Sequence, residues 1–351
     1  MRIGFIAHGL SNGGAERVES ILANFLAQNG HEVLFIAALS AEKTYELDER
    51  VIYKHRPAKS NNMIIKLIQK NINVYRDIKN FKADVIISFL TNEAFLVGLT
   101  TNAPIICTLR NDPYNYNNTS FKKIIRKYLF KISKKVVFQT IGAKNYFDED
   151  IRSKGVIIGN PLKSDLPYWK DYPHEKWIIT ACRLEKQKNI PMMLESFAEF
   201  KKRFPEYCLK ICGTGQLLNE LESYAEELNI RDSVDFLGFQ SDVHDIMARS
   251  EMFILTSDYE GVSNSMLEAL SMGMPVVCTD SSPGGAATYI NDGVNGVLIP
   301  VGDTKAFNNA MVKVISDTNF KKQISTEAVN IRNELDINRI LEMWKSVIIE
   351  E

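Results

Sequence analysis

Two apolar patterns alternate along the chain. Short runs rich in Ile, Val, Leu and Phe recur at residues 2–7, 31–38, 84–89, 104–109 and 136–139, and again at 177–182, 209–212, 234–239, 252–255 and 275–279. Runs this short and continuously apolar predict strands covered on both faces. Between them, apolar residues recur at three- and four-residue spacing, which predicts amphipathic helices at 18–29, 62–81 and 121–137. Further helices are expected near 286–291, twice within 303–333, and at 335–349. Such alternation implies an α/β fold with mainly parallel sheets. After a short strand at 156–161 comes KSDLPYWKDYPHEK, and Pro161, Pro167 and Pro173 crowd three turn signals together there. An interdomain linker is placed at this point, dividing 1–162 from 163–334.

Composition adds bounds. A length of 351 residues suits two domains, and 45% hydrophobic with 24% charged residues is ordinary for a soluble protein. MRIGFIAHGL enters a strand directly, so no signal peptide is read. No apolar run reaches the roughly 18 residues of a membrane span. Cys107, Cys182, Cys208, Cys212 and Cys278 lie mostly in apolar runs and read as reduced core thiols without metal spacing. A cytoplasmic protein is therefore expected. Asn117-Asn118-Thr119 and Asn118-Thr119-Ser120 match the glycosylation pattern, which matters only after export.

The net charge of −1 hides an asymmetry. Residues 1–170 carry 25 Lys and Arg against 15 Asp and Glu, leaving 17 against 28 for the remainder. The basic half suits a polyanionic or membrane-surface partner. Residues 121–137, FKKIIRKYLFKISKKVV, set seven cations among Ile, Leu, Phe and Tyr, and 62–81 is basic too. A basic amphipathic helix suits an anionic membrane surface, and an ordinary packed helix with a solvated face is the alternative. No recognition-helix motif points to nucleic acid.

The most informative stretch is YEGVSNSMLEALSMGMP, residues 259–275. It follows the apolar run 252–255. Ser263 is a natural helix N-cap, and Ser263-Asn264-Ser265 would offer backbone N–H groups to a phosphate. Glu260 precedes the helix and Glu268 lies within it, so two carboxylates could meet hydroxyls on different parts of one ligand. Together these describe a nucleotide-sugar site; a strand–loop–helix unit with surface glutamates is the plainer reading. At the first strand's end, Gly13-Gly14-Ala15-Glu16-Arg17 opens a helix without the dinucleotide fingerprint, so NAD is not inferred. Arg110-Asn111-Asp112-Pro113 follows another strand end. Arg183 and Lys188 flank a strand–helix junction and could clamp a diphosphate. Gly213-Thr214-Gly215 would let backbone approach a nucleotide. Asp148-Glu149-Asp150 invites a metal reading, but its helix-like setting makes it a solvated charge cluster.

In combination these motifs resemble the retaining nucleotide-sugar glycosyltransferases of family four, with the GT-B fold, typified by bacterial surface-polysaccharide transferases. The resemblance spans nearly the whole chain. It implies two doubly wound, Rossmann-like domains facing a central cleft: 1–162 for the acceptor, 163–334 for the donor, and a terminal helix, 335–351, packing back on the first domain. It implies hexosyl transfer from a UDP-sugar to a lipid-linked saccharide, with retention, no metal, and no resident cofactor. By resemblance Glu260, Arg183 and Lys188 are the catalytic set. Gly14, Gly213, Phe239, Ser263, Asn264, Ser265 and Glu268 would bind the donor. Gly13, Glu16, Arg110 and Asn111 would border the acceptor. Many relatives place a His near Arg110 and Asn111, and an Arg-Glu pair where this chain has Ala287-Thr288 after Pro283-Gly284-Gly285. A peripheral location on the inner membrane face follows from the acceptor. Nucleotide-sugar epimerases share the fold but take no acceptor. A glycan phosphorylase would carry a cofactor lysine motif that is not found. A non-catalytic glycan- or nucleotide-binding module would hold the site without turnover.

Overall fold

The computed structural model describes all residues except 12, 57–61, 116–118, 350 and 351. The glycosylation motifs therefore lie partly outside the described residues. The chain forms two compact units, residues 1–161 with 338–351, and residues 162–337.

The first unit is a seven-stranded parallel sheet. Its strands are β1 (Arg2–Ala7), β2 (Glu32–Ala37), β3 (Val51–His55), β4 (Val85–Ser88), β5 (Ile105–Leu109), β6 (Lys135–Phe138) and β7 (Gly155–Ile157). The spatial order is β3-β2-β1-β4-β5-β6-β7. β4 and β5 are wholly buried and β1 and β2 nearly so, which is why they read as continuous apolar runs. β3 is an edge strand with one fully buried residue, and its VIYKH pattern gave no apolar signal. Lys54 of β3 and Arg56 beyond it reach Asp77 at 2.8 and 2.6 Å. Edge cations of this kind also discourage strand addition.

The helices of this unit are α1 (Gly14–Gln28), α2 (Met63–Phe81), α3 (Phe95–Thr100), α4 (Ser120–Ile132), α5 (Ile141–Asn145) and α6 (Glu149–Arg152). α1 begins at Gly14, four residues before the expected start, because Gly13 serves as its N-cap and Glu16 supplies an acid to the first turn. α2 starts on Asn62, whose side chain accepts from the N–H groups of Ile64 and Ile65. α4 stops at Ile132, where Ser133 turns the chain into β6. Asp77, buried on α2, is the acid that the edge cations hold.

The second unit has six parallel strands, β8 (Glu175–Ala181), β9 (Cys208–Cys212), β10 (Val234–Gly238), β11 (Ser250–Leu255), β12 (Val276–Thr279) and β13 (Val297–Ile299), ordered β10-β9-β8-β11-β12-β13. α7 (Ile190–Lys201), α8 (Leu218–Glu227), α9 (Val243–Arg249), α10 (Asn264–Met272), α11 (Thr304–Ser316), α12 (Thr318–Ala328) and α13 (Ile331–Glu334) cover it. Phe197, Phe200, Met193 and Phe307 fill its core. The expected helix at 286–291 is instead a series of turns. Asn295 accepts from the Asn291 N–H at 2.8 Å and donates to the Tyr289 carbonyl at 2.9 Å. These local bonds compete with a helix too short to offset its own nucleation.

The last helix, α14 (Ile337–Ile349), belongs from residue 338 onward to the first unit. There the buried Trp344 ring stacks on Phe89 at 6.1 Å. No helix among the described residues is long and apolar enough to cross a membrane.

In both sheets the strand order reverses between the unit's first and fourth strands, at β1/β4 and at β8/β11. Open α/β sheets bind ligands in the crevice beyond the carboxyl ends of the strands at such a switch point. The loops after β8 and β11 are therefore where chemistry is sought.

Candidate active site

Those two loops are laced together. Thr256 Oγ1 donates to the carbonyls of Lys188 and Asn189, both at 3.0 Å. The Asp258 N–H donates to the Gln187 carbonyl at 2.9 Å, and Gln187 Nε2 donates to the Tyr259 carbonyl at 2.8 Å. Asn189 takes a left-handed conformation, φ 43°, which a non-glycine residue rarely adopts. It is held there because its amide donates to Asp258 at 2.7 Å while its oxygen caps α7. Inside this frame the Lys188 ammonium meets the Glu260 carboxylate in an ion pair, and Ser257 Oγ donates to the same carboxylate at 3.3 Å.

α10 opens from the loop that carries Glu260. Ser263 is its N-cap and accepts from the Met266 N–H. Ser265 Oγ donates to the Ala181 carbonyl at 2.6 Å, fixing the start of α10 against the end of β8. Asn264 and Ser265 belong to the first turn, where backbone N–H groups have no intrahelical acceptor and the dipole favours an anion. One turn further, the buried Glu268 lies 3.0 Å from His244 Nε2 of α9. Sequence reading did not single out His244; a lone His on a short helix carries no spacing signal.

Glycines bring the neighbouring loops in. At Gly213, φ is +139°, and a Cβ there would lie 1.9 Å from the Cys182 carbonyl oxygen. At Gly285 a Cβ would fall 1.6 Å from the Gly261 oxygen. The Pro283-Gly284-Gly285 loop thus backs the Glu260 loop, and the Glu260 N–H donates to the Ser282 carbonyl at 2.9 Å. Of the two cations expected to clamp a diphosphate, Lys188 is buried beside Glu260. Arg183 is instead 62% exposed and paired with Glu185 at 3.0 Å. Phe239 follows β10 and is 57% exposed.

In the first unit, Gly13 and Gly14 start α1, and Ser11 Oγ lies 3.5 Å from the Glu16 carboxylate. Arg110 Nη1 donates to Asn160 Oδ1 at 3.0 Å and to the Ile158 carbonyl at 3.3 Å. Its guanidinium lies over Phe89 and Trp344, so it is tied into the unit's own packing. Asn111 Oδ1 accepts from the Asp112 N–H at 2.7 Å, and the buried Asp112 accepts from the Tyr114 N–H at 2.9 Å, as turn chemistry predicts. At the end of β1, His8 Nδ1 sits 2.7 Å from Glu19 Oε1, and Glu19 is fully buried. Burial works to lower the His8 pKa, but the Glu19 carboxylate, with Glu16 and Glu93, more than offsets it and leaves the pKa raised. Sequence reading missed this pair as well. In the acidic cluster, Asp148 pairs with Lys127, Asp150 with Lys131 at 2.8 Å, and Glu149 with Arg152.

Two family models match the chain. The one described as Glycosyltransferase Family 4 covers residues 12–164, and the one described as Glycosyl transferases group 1 covers 169–330. The chain belongs to glycosyltransferase family 4. A Campylobacter jejuni relative is 29% identical over 100% of this chain and 99% of its own. Its name is GalNAc-alpha-(1->4)-GalNAc-alpha-(1->3)-diNAcBac-PP-undecaprenol alpha-1,4-N-acetyl-D-galactosaminyltransferase. An Escherichia coli relative, UDP-Gal:alpha-D-GlcNAc-diphosphoundecaprenol alpha-1,3-galactosyltransferase, is 25% identical over 92% of this chain and 89% of its own. Among solved structures, Anabaena HepE in complex with UDP and glucose superposes with TM-score 0.83 at 18% identity, covering 99% of this chain and 98% of that one. At that identity the likeness shows the fold. This glycosyltransferase thus has two parallel α/β units of the GT-B type, as its motifs implied.

Proposed function

We propose that this glycosyltransferase moves a hexosyl or N-acetylhexosaminyl group from a UDP-sugar to a lipid-linked saccharide, with retention and without a metal. The observation that carries the reading is the Lys188–Glu260 pair beside the start of α10, at the switch point of the second sheet. Residues 163–334 take the donor and residues 1–162 the acceptor. The diphosphate lies at the α10 N-terminus, beside the Ser263 cap and the first-turn residues Asn264 and Ser265. Lys188 supplies a fixed charge, and the exposed Arg183 swings from Glu185 onto the phosphate as a fork. Glu260 accepts from donor-sugar hydroxyls. Glu268, oriented by His244, accepts from the ribose hydroxyls. Gly213 lets the backbone approach the nucleotide, and Phe239 lies against the base.

The chemistry is a front-face displacement. The bond from the anomeric carbon to the leaving phosphate oxygen breaks as the acceptor oxygen bonds to the same carbon. The acceptor proton passes to the departing phosphate. Stabilising charge on that phosphate is the main electrostatic task, and preorganised donors perform it without reorganisation.

The lipid-linked acceptor is supported by the diphosphoundecaprenol substrates in the names of the two relatives. A peripheral position on the inner membrane face is supported by α2 and α4. On α4, Phe121, Ile124, Tyr128 and Ile132 form an exposed apolar strip, and on α2, Ile64, Ile65, Ile68 and Ile72 form another. α3 lies between them, with Phe95 edge-on to Tyr128 at 5.9 Å.

A thermal-shift panel of UDP, GDP, ADP and their sugars, run with and without EDTA, tests the donor reading. A ligand at 100 times its Kd stabilises by about 2.7 kcal/mol. Stabilisation by uridine nucleotides regardless of EDTA is expected. A shift that vanishes with EDTA would sink the metal-free mechanism.

A further inference from the structure

Asn189 follows Lys188, and Asp258 stands just before Tyr259 and Glu260. These neighbours of the ion pair make a contact of their own. Asn189 Nδ2 donates to Asp258 Oδ1 at 2.7 Å, joining segments 69 residues apart. The bond lies on the exposed side of the two loops, whereas the buried Thr256 pins the Lys188 and Asn189 carbonyls from within. Asn189 holds φ 43° and ψ 49°; it ends the short helical turn 186–188 and starts α7. A left-handed conformation is costly for a residue with a Cβ, and glycine would adopt it freely. What asparagine adds over glycine is its side chain. Oδ1 accepts from the Met192 N–H at 3.3 Å, while Nδ2 reaches Asp258. Without the second bond the backbone at Asn189 relaxes toward negative φ and turns the peptide that joins it to Lys188. An exposed hydrogen bond contributes little to stability, because water replaces either partner. Its consequence therefore lies in where it holds the Lys188 ammonium.

We infer that Asn189 and Asp258 are positioning residues, acting through Lys188 by clipping its loop to the Glu260 loop. The clip keeps the peptide between Lys188 and Asn189 in the orientation that sets the ammonium against Glu260. With a donor bound, the same orientation sets it beside the leaving diphosphate. The assignment rests on the proposed reading of Lys188 as the fixed charge for that diphosphate. Neither Asn189 nor Asp258 needs to touch the substrate. Preorganised charge acts mainly in the transition state, so loss of the clip lowers kcat and leaves the donor KM almost unchanged.

The test is sugar transfer from a UDP-sugar by the full chain, with kcat, donor KM and Tm measured for four variants. Asp258→Ala removes the acceptor of the clip; kcat should fall about tenfold, with donor KM within about twofold. Asp258→Asn removes the same charge but keeps a carbonyl oxygen for the Asn189 amide, so kcat should stay within about threefold. Asn189→Asp keeps the cap on α7 and a side chain that tolerates the left-handed conformation, but sets two carboxylates together; kcat should fall about tenfold or more. Asn189→Asp/Asp258→Asn reverses the bond, the new amide donating to the new carboxylate, and should recover to within about threefold. Tm should move by no more than about 4 °C in Asp258→Ala. A role in surface charge alone predicts equal effects of Asp258→Ala and Asp258→Asn, and that result would overturn the clip. So would a loss of stability without a loss of kcat, or a double variant no better than Asn189→Asp. Urea unfolding supplies a readout that needs no transfer. The coupling between Lys188→Met and Glu260→Ala should shrink by about half or more in an Asp258→Ala background and persist in Asp258→Asn. Unchanged coupling in Asp258→Ala would refute the positioning role. A shrunken coupling in a protein that transfers from no UDP-sugar would uphold the clip and sink the donor reading.

Discussion

Replacing Glu260 with alanine leaves the Lys188 ammonium, 8% exposed, without its carboxylate partner. Breaking a fully buried pair costs about 3–5 kcal/mol, because the remaining charge keeps its desolvation penalty. Glu260 is 18% exposed, and water entering the gap recovers part of that penalty, so a loss of about 2–3 kcal/mol is expected for the single change. In a unit of this size each kcal/mol lowers Tm by about 2–4 °C, giving a fall of about 4–12 °C. Typical stabilities of about 5–15 kcal/mol leave the variant folded at room temperature. Lys188→Met should cost less, since Glu260 keeps the Ser257 hydroxyl and some solvent. The double variant should then be less destabilised than the sum of the singles by about 1–2 kcal/mol. Urea unfolding of all four proteins measures this coupling. In parallel, Glu260→Ala should abolish sugar transfer in a protein that still melts cooperatively. Additivity of the two singles within about 0.5 kcal/mol would refute the coupled pair. Undiminished transfer by Glu260→Ala would refute its place in the reaction.

Three further outcomes are expected. Gly285→Ala drives a methyl against the Gly261 carbonyl and shifts the Glu260 loop; transfer should fall about 100-fold while the fold persists, and an unchanged rate would mean the loop yields freely. The His8 imidazole should titrate above 6.5 by NMR and at a lower pH in Glu19→Gln, where Glu16 and Glu93 alone oppose burial; the stability tied to its proton is full below pH 6.5 and is lost as pH rises through the folded value. Burial works to raise the Asp77 pKa, but Arg56 and Lys54 overcome it and hold it below 3.8; its contribution is present above pH 3.8 and lost as pH falls through the folded value, so Asp77→Asn should flatten the acid limb of a urea-midpoint profile.

Several features were legible because they are local. Strands covered on both faces must be apolar throughout, so β1, β2, β4, β5, β11 and β12 announced themselves. Ser263 caps α10 through a bond spanning three residues, and such a bond follows from the sequence around it. Gly213 and Gly285 were visible as glycines, but the backbone oxygens they make room for were not. β3 escaped notice because an edge strand needs no continuous apolar run. The stretch 286–291 looked helical by spacing, and Asn295 diverted it into turns.

By itself the sequence determined two α/β units and their family, and it singled out the short segments proposed to carry the chemistry. Tertiary structure alone decided which charges meet. Lys188 and Glu260 are 72 residues apart, and they pair because the strand order places β8 beside β11 and sends both loops to the same end of the sheet. His244 reaches Glu268 across 24 residues for a similar reason, through the packing of α9 and α10 about β11. Arg183, five residues before Lys188, had the same claim on the diphosphate by spacing, yet it stands in solvent beside Glu185. Periodicity and capping act over a few residues, whereas a charge pair depends on where the sheet brings distant loops together.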